Sequence, residues 1–144
     1  MLVAHGTHVM VIDGANKSLF RNRGSGLEPE LERIDHRVNQ VKRTNEIGSD
    51  KPGRNFQSVS NARSAHEASD YHQEEEDRFA IAAADQLNVL LTDSVSGILI
   101  APPHVLGVMR QHLKADVRAR IIAEIDKDYA GRSADDITEL LARF

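Results

Sequence analysis

Apolar positions recur regularly along most of this chain and fail over one long stretch in its middle. Val9 to Asp13 is a short apolar run ending in Asp13-Gly14, and Leu19-Phe20 follow after a polar turn. Asp-Gly between apolar runs is a hairpin signal, so strands are predicted near residues 8–13 and 17–22. Arg23-Gly24-Ser25-Gly26 reads as a second turn, and the partial alternation of Glu30 to Asp35 predicts a third strand near 29–37. Three strands joined by short turns form an antiparallel meander.

Further along, Phe79, Ala82, Ala83, Leu87, Leu90 and Leu91 share one helical face. Asp70 with Gln73 resembles a capping box, which places the helix at 69–92. Gly97 to Ala101 is almost wholly apolar, the mark of a strand buried on both faces. Pro102-Pro103 ends it, and Pro103 opens a helix over about 103–113. A helical turn within 117–122 precedes a strand around 120–126, and Ser133 with Asp136 caps a closing helix to Leu141. The order β-β-β, loop, α-β-α-β-α predicts an α/β fold leaning to α+β: a mixed sheet of about five strands with helices packed on it.

The pattern vanishes over 39–68, which reads as a long basic loop between the third strand and the long helix. A loop of that length in a compact domain is functional or disordered. Residues 37–63 hold Arg37, Lys42, Arg43, Lys51, Arg54 and Arg63 against Glu46 and Asp50. The whole chain, with 18 basic and 22 acidic residues, has a net charge of −4, so this island is the local exception. Global charge is thereby excluded as a means of holding nucleic acid, and a local patch is what remains.

The 144 residues suit one domain, 1–144. The absence of Cys excludes a disulfide scaffold, a thiolate zinc site and a Cys nucleophile. No apolar run approaches a membrane span, and Met1-Leu2-Val3-Ala4-His5 carries no signal-peptide pattern. A soluble cytoplasmic protein with no membrane contact is expected. The histidines His5, His8, His36, His66, His72, His104 and His112 lack the i, i+4 spacing of a helical zinc pair, so they are expected on the surface with no bound metal. No phosphate-loop or serine-hydrolase motif occurs, and no cofactor is expected. Asp13 reads as a hairpin-turn residue rather than a catalytic acid, and Glu74 to Asp77 as a solvated helix start.

Candidate chemistry therefore concentrates in Gly48-Ser49-Asp50-Lys51-Pro52-Gly53-Arg54-Asn55-Phe56-Gln57-Ser58. Arg43, Lys51, Arg54 and Arg63 suit phosphate contacts, and Phe56 suits stacking on a base or anchoring the loop. Gln57 can orient a water or a carbonyl through its amide, but it cannot act as a general base near neutral pH. A solubilising loop, or one that docks a protein partner through 39–63, fits the same composition.

The chain resembles the bacterial host attachment protein family. The matching stretches are Val11-Ile12-Asp13-Gly14, Gly48 to Arg54 with Phe56-Gln57-Ser58, Ile98 to Pro103, and Glu124-Ile125-Asp126-Lys127-Asp128, in order over about 8–142. That family in turn is similar to the catalytic middle domain of archaeal and eukaryotic peptide-chain release factors. There a Gly-Arg-Gly-Gly-Gln-Ser loop precedes a long helix and an apolar strand. Gly53, Arg54, Gln57 and Ser58 match it position by position, while Asn55 and Phe56 replace two glycines. The resemblance implies contact with tRNA or the ribosome, and it makes Gln57 the candidate catalytic residue for peptidyl-tRNA ester hydrolysis. Phe56 adds bulk and resists the positive φ that paired glycines permit, so the same place is implied more firmly than the same reaction.

Overall fold

A computed structural model describes residues 1–40 and 58–144, with side chains for residues 1–40 and 70–144. Strand β1 (His8–Ile12) turns back into β2 (Asn16–Asn22) where expected. Asp13 makes the turn, its Oδ1 accepting from the backbone N–H of Ala15 at 2.8 Å and of Asn16 at 2.7 Å. The second turn is built on Asn22, which is fully buried. Its Oδ1 accepts from the N–H of Gly24 and of Glu30, and its Nδ2 donates to the Val3 carbonyl at 2.7 Å.

β3 (Leu31–Val38) pairs with β2 through a bulge: Phe20 faces Arg33 while Leu19 faces Asp35, which leaves Ile34 as the extra residue. The bulge explains why alternation in this strand is only partial. The sheet order is β3-β2-β1-β4-β5, with β4 (Gly97–Ala101) and β5 (Ile121–Asp126) parallel to β1. The sheet is thus mixed and open, as the element order predicts. The carboxyl ends of β1, β3, β4 and β5 all lie along one edge.

Helices α1 (Ser58–Leu90), α2 (Pro103–His112) and α3 (Ala115–Arg120) cover one face, and α4 (Ala134–Ala142) the other. The first layer joins Met10, Ile12, Leu19 and Leu99 to Ala83, Leu87, Met109 and Val117. The second joins Val9, Val11, Phe20 and Ile100 to Ile137, Leu140 and Leu141. β4 is buried throughout because it supplies side chains to both layers. Ser133 caps α4, its hydroxyl accepting from the N–H of Asp136 at 3.1 Å.

The long helix departs from expectation. It begins at Ser58 rather than near 69, so residues 58–68, expected as loop, are helical. Asp70 and Gln73 are therefore interior to the helix and form no capping box. The physical reason is that apolar periodicity registers only turns that face a core. Residues 58–68 carry Ala62, Ala65 and Ala68, good helix formers, but no large apolar side chain except Val59.

Candidate functional site at the carboxyl edge of the sheet

α1 runs antiparallel to β4. Its Leu91 end packs against Gly97 at the amino end of that strand, and Gln73 meets His104 just past the carboxyl end. Fifteen helical residues, Ser58 to His72, precede Gln73. At 1.5 Å per residue they carry the helix about 22 Å past the sheet edge. Ser58, which follows Gln57 in the chain, is the first residue of that projection.

Three ties hold α1 where it leaves the sheet. Gln73 Nε2 donates to Asp77 Oδ1 at 2.9 Å, and His104 Nε2 lies 2.9 Å from both atoms. The carboxylate takes both donors when the imidazole carries its proton on Nε2. Asn39 supplies the second tie: its backbone N–H donates to Ala15 O at 2.8 Å, and its Nδ2 donates to Gly14 O at 2.9 Å and reaches Glu75 O at 3.5 Å. The third is steric, the side chain of Glu76 lying over Gly14. Asn39 follows β3 directly, so the end of that strand lies beside the point where α1 passes the edge.

A cleft of about 380 Å³ opens among these ties, lined by the Asp13–Ala15 turn, Gln73, Glu76, Pro102, His104 and Asp128. Its polar side chains are three carboxylates, an amide and one imidazole, with Ala15, Pro102 and Val105 beside them. No group of three or more His, Asp and Glu placed to hold a metal ion occurs among the described residues.

A second cleft, of about 650 Å³, lies between α1 and the β2–β3 edge. At its floor the Lys17 ammonium donates to Gln86 Oε1 at 2.6 Å, and Gln86 Nε2 donates to Asp35 Oδ2 at 3.0 Å. Lys17 Nζ stands 3.6 Å from the same carboxylate oxygen, and only 9% of its side chain is exposed. Burial pushes the Lys17 ammonium below its ordinary pKa, against the pull of Asp35. The Gln86 hydrogen bond, helped by Lys17 and Arg37, holds the Asp35 carboxyl below the usual carboxylate range. These groups satisfy one another, so the network fixes α1 on the sheet.

Of the residues singled out from sequence, Arg43, Lys51, Arg54, Phe56 and Gln57 lie outside the described residues. Arg63 belongs to α1, with its side chain outside them. Asp13 is the turn residue expected. Sequence reasoning missed Gln73, Asp77 and His104 as a group. The available signal was the i, i+4 spacing of Gln73 and Asp77, together with the position of His104 just after a buried strand, at the edge where open sheets bind ligands.

No helix among the described residues is long and apolar enough to cross a membrane. Residues 6–141 match the model of a family described as bacterial archaeo-eukaryotic release factor family 12. No curated protein matches the chain.

Proposed function

The chain belongs to bacterial archaeo-eukaryotic release factor family 12, and from that premise we propose that it is a translation-associated factor that contacts tRNA or the ribosome through the basic segment 39–63. Arg43, Lys51, Arg54 and Arg63 hold phosphates in this reading, Phe56 stacks on a base, and Gln57 stands at a peptidyl-tRNA ester and orients the attacking water. The observation that carries the proposal is the projection of α1. The helix that begins directly after Gln57 has fifteen residues before Gln73, about 22 Å of helix beyond the sheet edge. Such a lever suits reaching into a crevice of a larger assembly. The family membership supports the translation setting, and the protein acts in the cytoplasm on this account.

Peptidyl-tRNA hydrolysis by the purified protein, with and without ribosomes, tests the chemical half of the proposal. Ester cleavage that falls at least tenfold in Gln57→Ala supports it. Equal cleavage by the variant, or none by either protein, removes the hydrolase role. In that case the segment is a docking surface, and any part in attachment of bacteria to host cells is indirect.

A further inference from the structure

We propose that the cleft between α1 and the β2–β3 edge binds a small zwitterion with an apolar body, the chemistry of a free apolar amino acid. The proposal uses none of the residues assigned to tRNA and stands whether or not the translation reading does. At about 650 Å³ the cleft falls within the range of small-molecule sites, about 300–1,000 Å³. Its α1 wall runs from Phe79 to Val89, about 15 Å of helix. Val38, Phe79, Ala82 and Val89 give it apolar sides, of which Val38 is 50% and Val89 75% exposed.

The charged groups that line the cleft cancel: Lys17 and Arg37 stand against Asp35 and Asp85. They are not all used up on one another. The Lys17 ammonium carries three N–H groups, and the acceptor within hydrogen-bond distance is Gln86 Oε1 at 2.6 Å. Asp35 Oδ2, at 3.6 Å, balances the charge from beyond that distance. A lysine side chain nine-tenths buried at the cleft floor thus keeps donors for which the described residues supply no acceptor. Buried donors without acceptors are costly, and this is the observation that points to a ligand. Beside them lies the exposed Arg37 guanidinium, its Nε 3.8 Å from Asp35 Oδ1. On the α1 wall Asp85 is exposed and has no ion pair or hydrogen bond among the described residues.

These groups select the ligand. A carboxylate meets the remaining Lys17 N–H groups, next to Arg37, with charge-assisted hydrogen bonds. A dianion such as a phosphate monoester sets its second charge against Asp35 and Asp85, in a cleft whose own charges already cancel. A ligand that is neutral overall keeps the balance, its ammonium directed to Asp85 and its apolar body laid against Phe79 and Val89. Anchoring α1 does not by itself account for the lysine, because an apolar side chain packs a helix on a sheet without burying a charge. A residue that breaks the local rule in this way points to function.

The test titrates the full-length protein with L-phenylalanine and L-leucine by isothermal calorimetry. Each is run beside the acid that lacks its ammonium (3-phenylpropionate, 4-methylpentanoate) and the amine that lacks its carboxylate (phenethylamine, isoamylamine). Lys17→Met and Asp85→Asn are titrated alongside, with thermal melts confirming the fold. At least one amino acid is expected to bind, its acid analogue about two- to fivefold more weakly and its amine analogue more than about tenfold more weakly. Asp85→Asn should weaken the amino acid about two- to fivefold and leave the acid analogue no weaker, and Lys17→Met should weaken both by more than about tenfold. An acid analogue that binds as tightly as its amino acid, or an Asp85→Asn variant with unchanged affinity, overturns the assignment to a zwitterion. Full affinity in Lys17→Met overturns the site, as does the absence of heat and of a Tm shift with both amino acids at millimolar concentration. If Lys17→Met does not fold, NMR of wild type decides: the Lys17 side-chain resonances move on titration if the site is right, and unmoved resonances overturn it.

Discussion

Replacing Gln86 by Leu tests whether the Lys17–Gln86–Asp35 bridge anchors α1. The substitution keeps the side chain's approximate bulk but removes the acceptor for Lys17 and the donor to Asp35. Hydrogen bonds to charged groups contribute about 1.5–3 kcal/mol each, giving a gross loss of roughly 3–6 kcal/mol. The direct approach of Lys17 to Asp35, now 3.6 Å, can tighten and return part of that. A net destabilisation of about 2–4 kcal/mol follows, or roughly 6–12 °C in Tm for a chain of this size. Urea denaturation at pH 7 reads it. Adding Lys17→Met to the variant should restore part of the loss, because the buried ammonium no longer lacks its acceptor. A Gln86→Leu variant within about 0.5 kcal/mol of wild type would refute the reasoning, since losing two hydrogen bonds to charged groups in this cleft cannot be that cheap.

The same bridge sets an acid limb. Asp35 is held below its unfolded pKa chiefly by Gln86, so its contribution is present above about pH 4 and is lost as pH falls through the folded value. Denaturation midpoints between pH 2 and 5 should fall less steeply in Gln86→Leu, and superimposable acid limbs would contradict this. Asn22→Asp should cost about 3–5 kcal/mol in the same denaturation assay, because an ionised carboxylate there cannot donate to Val3 O and is fully buried. Gly24→Ala and Gly14→Ala form a matched pair for calorimetry. The first sets a Cβ 2.2 Å from the Glu28 carbonyl oxygen and should cost about 2 kcal/mol, whereas the second meets only the movable end of Glu76 and should cost under about 1 kcal/mol. His104→Ala should leave Tm nearly unchanged, as its tie is exposed, yet speed amide exchange around Gln73 to Asp77, read by hydrogen–deuterium exchange.

What could be read from sequence follows from where side chains meet a core. β1, β2 and β4 announced themselves because Asp13-Gly14 encodes the turn and Gly97 to Ala101 is buried on both faces. The closing helix was legible through the Ser133 cap. β3 was blurred by the bulge at Ile34, which breaks the period of two in an edge strand. The start of α1 was illegible because a helix that leaves the sheet has no apolar face to show. The tie of Gln73 and Asp77 to His104 was hidden for another reason: it joins residues about 30 positions apart that only the βα crossover brings together. The resemblance to release factors was read from Gly53, Arg54, Gln57 and Ser58, a local motif whose meaning depends on residue identity rather than on packing.

Co-sedimentation with ribosomes from lysate, at low and at high salt, tests the central claim most directly, with Lys51→Gln/Arg54→Gln run alongside. The account predicts association at low salt that falls steeply as salt rises and is largely lost in the variant. Absence of association at both salt concentrations, or association that the variant retains in full, would contradict it.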